Sequence, residues 1–401
     1  MPSPRYRLAV VVNRPQPYHS ALFRALAAHA QIDLTVYYLF DVGVGAAPDP
    51  DFGRFQWDSP VLEGYRSHFL RNRAAFPAEA RFAGSFHPEL CARLHPRFHD
   101  AVVIHGWFGL SVWLALLTCR QRKLPVLMRS SAHATSPDWK HATGLRHLVL
   151  RGLFRRCSAF LTLGRRNTEF YRRWGVPEEK LFLTPHAVDN DYFGRQRAAW
   201  LPQRPIIRQQ LGLPADAVVF LYAGRLAPEK RLPDLLHAVR ALDDARAWLV
   251  LAGEGRERRH LENLARSIGL RQILFPGFQS QSGLARFYVA ADAFVLPSGN
   301  ETWGLVVNEA MNFALPVVVS DAAGAVPDLV EEGGNGMVFP AGDRTALRCC
   351  LRRLLTDASL RTQIGERSLE RIQRWSHHRS AESVLRALEF ATGARPRTYT
   401  P

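Results

Sequence analysis

Two carboxylates eight residues apart mark the stretch Leu296-Pro297-Ser298-Gly299-Asn300-Glu301-Thr302-Trp303-Gly304-Leu305-Val306-Val307-Asn308-Glu309-Ala310. Glu301 falls in a polar loop just after an apolar run. Glu309 falls about one and a half turns into a helix that begins near Gly304. A loop carboxylate can accept hydrogen bonds from sugar hydroxyls, and a helical one can reach a vicinal diol deeper in a cleft. The amides of Gly304, Leu305 and Val306 lie at the helix N-terminus, where a phosphate is favoured. One segment therefore carries groups for a sugar, a phosphate and a ribose. The bland alternative is a dipole-stabilising carboxylate plus an exposed helical Glu. The spacing gains weight only with its Gly-containing helix start and flanking strands.

A second pattern is cationic. Ala223-Gly224-Arg225-Leu226-Ala227-Pro228-Glu229-Lys230-Arg231 follows an apolar run and precedes a helical pattern at Leu232. Gly224 permits a sharp turn where the strand ends. Arg225 and Lys230 then flank a loop that opens on a helix N-terminus, which suits a pyrophosphate. A solvated basic loop is the competing reading, since every parallel sheet has several such loops.

Alternating strands and helices must position these groups. Apolar runs at Leu8–Val12, Ile32–Leu39, Ala101–His105, Val126–Arg129 and Ala159–Leu163 predict strands in the first half. The second half repeats the pattern at Val218–Ala223, Ala247–Ala252, Ile273–Phe275, Ala293–Leu296 and Pro316–Val319. Helical patterns lie between them, and Asp343–Thr392 is mostly helical. The repetition predicts an α/β protein with two doubly wound parallel sheets, ligands binding at the carboxyl ends of the strands. The break is expected in Asn190–Pro214, where Pro202 and Pro205 disfavour regular structure. The expected domains are 1–198, 199–378 and a C-terminal segment 379–401.

The chain has 401 residues and a net charge of 52 − 36 = +16. Residues 1–200 hold 27 Lys+Arg against 15 Asp+Glu, and residues 201–401 hold 25 against 21. Nucleic acid, an anionic membrane and a phosphate-bearing molecule are the partners such charge admits. No zinc spacing or RNP-like aromatic motif supports nucleic acid. The five cysteines form no C-x-x-C pair and read as buried thiols in a reducing compartment. No run of 18 apolar residues predicts a membrane span. A cytoplasmic protein is expected, resting peripherally on a membrane if Arg146–Arg156, basic with apolar residues at helical spacing, touches anionic lipid. A core-packed helix with a solvated face is the alternative for that segment.

In combination these segments resemble the retaining nucleotide-sugar glycosyltransferases of the GT-B fold, glycosyltransferase family 4 (group 1). Gly224-Arg225-Leu226 with Glu229-Lys230 is similar to the family's G-R-L-x-x-E-K, and Glu301 to Glu309 to its E-x7-E. Gly253-Glu254-Gly255, Phe275-Pro276-Gly277-Phe278, Asn335-Gly336 and Pro185-His186-Ala187-Val188-Asp189 also resemble family segments. The resemblance implies two Rossmann-like domains facing across a cleft. Arg225 and Lys230 would bind the donor diphosphate and stabilise it as it leaves. Glu309 would bind the ribose, Glu301 the transferred sugar, and the Phe278 segment the base. Gly224, Gly253, Gly304, Leu305 and Val306 would complete the donor site, and a helix near Ala381–Ala391 would return to the first domain.

No metal or other cofactor is implied. Asp49-Pro50-Asp51 and Asp189-Asn190-Asp191 read as turn chemistry. The partners implied are a nucleotide-sugar donor and a glycan or lipid-linked acceptor. The first half matches loosely. Asn13-Arg14-Pro15-Gln16-Pro17-Tyr18-His19 lacks the family's glycines, which points to an acceptor-facing loop. A family histidine near the reacting sugar has two candidates, His133 and His105, with His133 favoured beside Arg129. His186 reads as a linker or cleft residue. A hydrolase or epimerase of the same fold, and a basic nucleic-acid-binding protein, are the competing functions.

Overall fold

The computed structural model describes residues 5–44, 56–132 and 144–393. The chain forms two compact units. One comprises the chain up to His186 together with the segment from His377 onward; the other is Ala187–Ser376.

The first unit contains strands β1 Tyr6–Val12, β2 Ile32–Tyr38, β3 Arg66–Phe69, β4 Ala101–His105, β5 Val126–Arg129, β6 Ala159–Thr162 and β7 Leu181–Leu183. They make one parallel sheet in the order β3-β2-β1-β4-β5-β6-β7. Both faces are covered, so the inner strands are apolar on both sides rather than alternating. In β1, Leu8 and Val10 enter one core while Ala9 and Val11 enter the other. Helix α1 Pro17–Ala28 and the C-terminal helix His377–Thr392 cover the first face. Helices α2 Glu89–Arg93, α3 Leu110–Gln121, α4 Gly144–Arg156 and α5 Arg165–Arg173 follow in the chain. Leu90, Val112, Phe154 and Phe170 from these four enter the second core.

The second unit contains β8 Val218–Ala223, β9 Ala247–Ala252, β10 Ile273–Gly277, β11 Ala293–Leu296, β12 Val317–Ser320 and β13 Gly336–Phe339, parallel in the order β10-β9-β8-β11-β12-β13. Besides the four-residue helix Val326–Leu329, its helices are α6 Asn190–Trp200, α7 Arg204–Gln210, α8 Leu232–Arg240, α9 Arg258–Ser267, α10 Gln281–Ala290, α11 Leu305–Asn312, α12 Arg344–Thr356 and α13 Ala358–Gln373. In each sheet the connections reverse direction beside the first strand, between β1 and β4 and between β8 and β11. Ligands of such sheets bind at the carboxyl ends of the strands on either side of that reversal.

The ten strands expected from the sequence are present to within a residue or two at most ends. The expected break at Asn190–Pro214 is mostly helical instead. Pro202 and Pro205 sit in the first turns of the one-turn helix Leu201–Gln203 and of α7. A first-turn N–H has no intrahelical acceptor, so proline is tolerated there. Phe193 and Ile207 bury their side chains in the second core. That burial places the division between the units at His186/Ala187, ahead of 198/199. Asp189 caps α6 by accepting from the Tyr192 amide at 2.9 Å. Asn190 donates to the carbonyls of Ile372 and Trp375 at the end of α13. The second Asp-x-Asp triplet thus serves helix ends; the first lies outside the described residues. Of the cysteines, only Cys119 and Cys157 are buried, and Cys349 is exposed on α12.

Candidate active site

In the second unit the two loops singled out above meet. Strand β8 ends at Ala223, and Gly224 turns the chain with φ +142°. The next strand, β9, ends in Gly253-Glu254-Gly255, and the two turns are zipped backbone to backbone. The Gly224 amide donates to the Ala252 carbonyl at 3.0 Å and the Leu226 amide to the Glu254 carbonyl at 2.8 Å. A Cβ on Gly253 would lie 1.8 Å from the Gly224 carbonyl oxygen, and one on Gly255 would lie 2.3 Å from that of Leu226. Gly253 therefore spends its missing side chain on this close approach. Gly253→Ala should push the Gly224 turn outward and destabilise the protein by about 1–3 kcal/mol. An unchanged urea midpoint would refute that.

From Gly224 the chain runs to the one-turn helix Pro228–Lys230. Lys230 Nζ pairs with Glu301 Oε2 at 2.5 Å, and each side chain is only about 15% exposed. Arg225 pairs with Glu229 at 2.8 Å and is more open. The structure thus joins the cationic loop after β8 to the acidic loop after β11. Arg231 takes a different part. Its backbone is left-handed at φ +51°, and its guanidinium pairs with Asp234, which also holds Arg344. Its side chain lies against Gly299 and Gly342, where a Cβ would come within 2.7 and 2.8 Å. Arg231 locks the loops together.

Glu301 is fixed from behind. Gly324 donates to the Glu301 carbonyl at 3.0 Å, and Ala325 to that of Trp303. A Cβ on Gly324 would lie 1.9 Å from the Thr302 carbonyl oxygen. The sequence reading missed this residue; the only available signal was a glycine in the loop after β12.

Gly304 is the N-cap of α11 at φ +92°, with Leu296 Cδ2 2.8 Å from where a Cβ would stand. Leu305 and Val306 supply the first-turn amides expected there. Glu309 is the fifth residue of α11 and accepts from the Tyr288 hydroxyl at 2.8 Å. Burial pushes its carboxyl up to about 7, with the Tyr288 hydrogen bond pulling the other way. Tyr288, from α10, was not visible as a partner in the sequence. Two buried asparagines anchor the helix: Asn308 accepts from Trp303 Nε1 at 2.9 Å, and Asn312 donates to Asn190 Oδ1 at 3.0 Å. Phe278, just past β10, is 48% exposed.

The model of the glycosyl transferases group 1 family matches residues 203–371, which span these loops. A D-inositol 3-phosphate glycosyltransferase of Kineococcus radiotolerans is 33% identical over 379 residues, covering 84% of each chain. The chain belongs to the group 1 glycosyltransferases. It is also similar to the lipopolysaccharide core biosynthesis glycosyltransferase LpsD of Rhizobium meliloti, 34% identical over 41% of this chain and 47% of that one. Among solved structures, Anabaena HepE in complex with UDP superposes with a TM-score of 0.73 at 17% identity, covering 94% and 98% of the two chains. The glycosyltransferase WaaG superposes at 0.65 and 16%, covering 96% and 100%. These likenesses show the GT-B fold.

In this group 1 glycosyltransferase the first unit carries its own cluster at the carboxyl ends of its strands. Arg129, last residue of β5, is 4% exposed and donates to Thr184 Oγ1 at 2.5 Å. Among the described residues it has no carboxylate partner. Burial lowers it to about 10, which leaves it charged at neutral pH. His19 and His105 stack edge to face at 4.8 Å, and Tyr18 and His186 at 5.2 Å. Burial, then the Arg129 charge, pushes His19 down to about 3, and burial holds His105 and His186 neutral as well. Tyr18 and His19 belong to the glycine-free segment after β1. His133 lies outside the described residues.

Proposed function

We infer that the protein transfers a hexosyl residue from a nucleoside diphosphate sugar to a glycan or lipid-linked acceptor with retention of configuration, in cell-surface polysaccharide or glycolipid synthesis. The Lys230–Glu301 pair carries this reading, because a cation and a carboxylate from two loops stand side by side there, as a sugar joined to a diphosphate would require. Arg225, Lys230 and the first-turn amides of α11 hold the diphosphate, without a metal. They stabilise its growing charge most in the transition state. Glu309 takes the ribose diol, Phe278 lies at the base, and Glu301 takes hydroxyls of the sugar. The acceptor attacks from the face the diphosphate leaves, through an oxocarbenium-like state. The names of the relatives support the substrate class: inositol 3-phosphate and the lipopolysaccharide core are phosphate- or lipid-linked acceptors, and HepE holds UDP.

A thermal-shift screen over UDP-, GDP-, ADP- and TDP-sugars, followed by product analysis with and without acceptor, tests this reading. Stabilisation by one nucleotide class and release of nucleotide only with acceptor are expected. Release of free sugar at the same rate without acceptor would make it a hydrolase. Turnover should persist in excess EDTA; loss restored by one divalent cation would overturn the metal-free donor site.

Glu309 makes the donor site pH-dependent. Its carboxyl holds a proton below about pH 7 and is an anion above it. A ribose diol needs the anion to accept both hydroxyls, so nucleotide affinity should rise with pH through 7 and then level off. Calorimetry should find about tenfold weaker binding per pH unit well below the folded pKa. Glu309→Gln should bind weakly and flatly across the range. A flat wild-type profile would remove Glu309 from the ribose.

A further inference from the structure

The excess charge of the first half is concentrated. Residues 101–168 carry eleven Lys+Arg and a single acid, Asp138. Within this stretch, α3 and α4 pack on the same face of the first sheet and leave a cavity of about 650 Å³ between them. Trp113, Leu116 and Leu153 form its walls. Its mouth is apolar and open to solvent: Leu117 is 53%, Leu148 66% and Val149 41% exposed. Arg120, Lys123 and Arg156 also line it, and no carboxylate does. Arg120 and Lys123 make no ion pair among the described residues, and Arg156 donates to the Gly152 carbonyl at 2.6 Å. An apolar hollow of this size, edged only by cations, is complementary to an amphiphile with an anionic head. It opposes a second copy of the same face, because two such faces repel.

We propose that this cavity takes an acyl chain of an anionic membrane lipid, with the lipid phosphate on Arg120, Lys123 and Arg156. The cavity lies at the amino ends of β5 and β6, lined by Lys123–Val126 and Cys157–Ser158. Arg129 stands at the opposite, carboxyl end of β5, where the histidine cluster is. The lipid held between α3 and α4 is therefore an anchor and not the acceptor. One buried chain alone gives marginal membrane binding, and a chain combined with a basic patch gives stable attachment. Both signals are present here. The proposal is independent of which sugar is transferred.

Co-sedimentation of the full-length protein with vesicles tests it. Binding is expected to vesicles of phosphatidylcholine with phosphatidylglycerol and not to phosphatidylcholine alone, and to weaken as salt is raised. Leu148→Glu, at an exposed position, should weaken partitioning by roughly tenfold or more. Gly152→Leu adds bulk to a residue lining the hollow, where a Cβ meets only the flexible end of Arg156 at 3.1 Å. It should weaken binding by roughly tenfold while leaving all surface charge in place. Melting temperature and nucleotide binding should be unchanged in both. Equal binding to uncharged vesicles, or full binding by Gly152→Leu, would overturn the proposal. So would a dimer in solution that Leu148→Glu dissolves, which would assign the face to a second copy.

Discussion

Lys230→Ala is expected to lower turnover by about 10²–10³-fold with a much smaller change in donor KM. The reason is where its charge acts. On the proposed reading, the ground-state charge of the donor diphosphate is already dispersed over several oxygens and would be shared with Arg225 and the α11 amides. As the glycosidic bond breaks, charge grows on the oxygen that leaves. A cation 15% exposed acts through little water, so its attraction is largest at that moment. Lys230→Arg should recover little. The guanidinium is larger and planar, and the space beside Glu301 is set by the single contact of an ammonium. Steady-state kinetics with a saturating acceptor separates kcat from KM. Near-normal kcat in Lys230→Ala would remove it from the leaving group.

Glu301→Gln should move two observables in opposite directions. Glu301 holds Lys230 at 2.5 Å, and the pair is mostly shielded from water. A nucleoside diphosphate must draw the ammonium from this carboxylate before it can use the charge. The amide keeps the shape and releases the cation. Free nucleoside diphosphate should therefore bind the variant tighter, by roughly tenfold for each 1.4 kcal/mol of pairing removed. Transfer should nevertheless fall by about 10–10²-fold, because the sugar loses a charged acceptor for its hydroxyls. Calorimetry with nucleotide and rate measurements with nucleotide sugar read the two effects separately. If nucleotide and nucleotide sugar weaken together, Glu301 only orients Lys230.

On the proposed reading, this competition also orders events at the site. A phosphate would share the three N–H donors of Lys230 with Glu301 and weaken the ion pair. Phosphate arrival would then make the carboxylate more available to the sugar, so the two halves of the donor would favour each other's binding. Nucleoside diphosphate alone would leave Glu301 without its partner. That makes the intact donor the better ligand per contact.

The sequence was most legible where one side chain's environment is set by its own strand. Val218–Ala223 and Ala247–Ala252 are apolar on both faces, and both strands fall where the pattern puts them. Of the four edge strands, β10 was legible and β3, β7 and β13 were not. Three of the four residues of β3 Arg66–Phe69 are exposed, so it carries no apolar run. Asn335 closes a turn and Gly336 opens β13. It is a glycine because the Val317 carbonyl comes within 2.6 Å of its Cβ position. Within the site, residue types and spacing announced Arg225, Lys230, Glu301 and Glu309 separately. Nothing in one dimension showed that Lys230 touches Glu301 across 71 residues, or that Tyr288 bonds Glu309 across 21. Such contacts arise from strand order, since β11 lies beside β8 and not beside β10. Gly253 was legible as a motif but not in its use, because a backbone collision leaves no composition signal.

The C-terminal helix His377–Thr392 gives the protein an unusual order of assembly. Ala381, Val384, Ala387 and Leu388 fill the core that also holds Leu8 and Val10 of the first strand. During synthesis, the segment 187–376 emerges whole and can close its own sheet while the nascent amino-terminal region still lacks one wall. Domains made on the ribosome usually complete in the order they appear. Here the region translated ahead of that segment is finished after it. Its apolar face stays uncovered until His377–Thr392 has been made, so the arrival of this helix is the point at which aggregation through that face is decided.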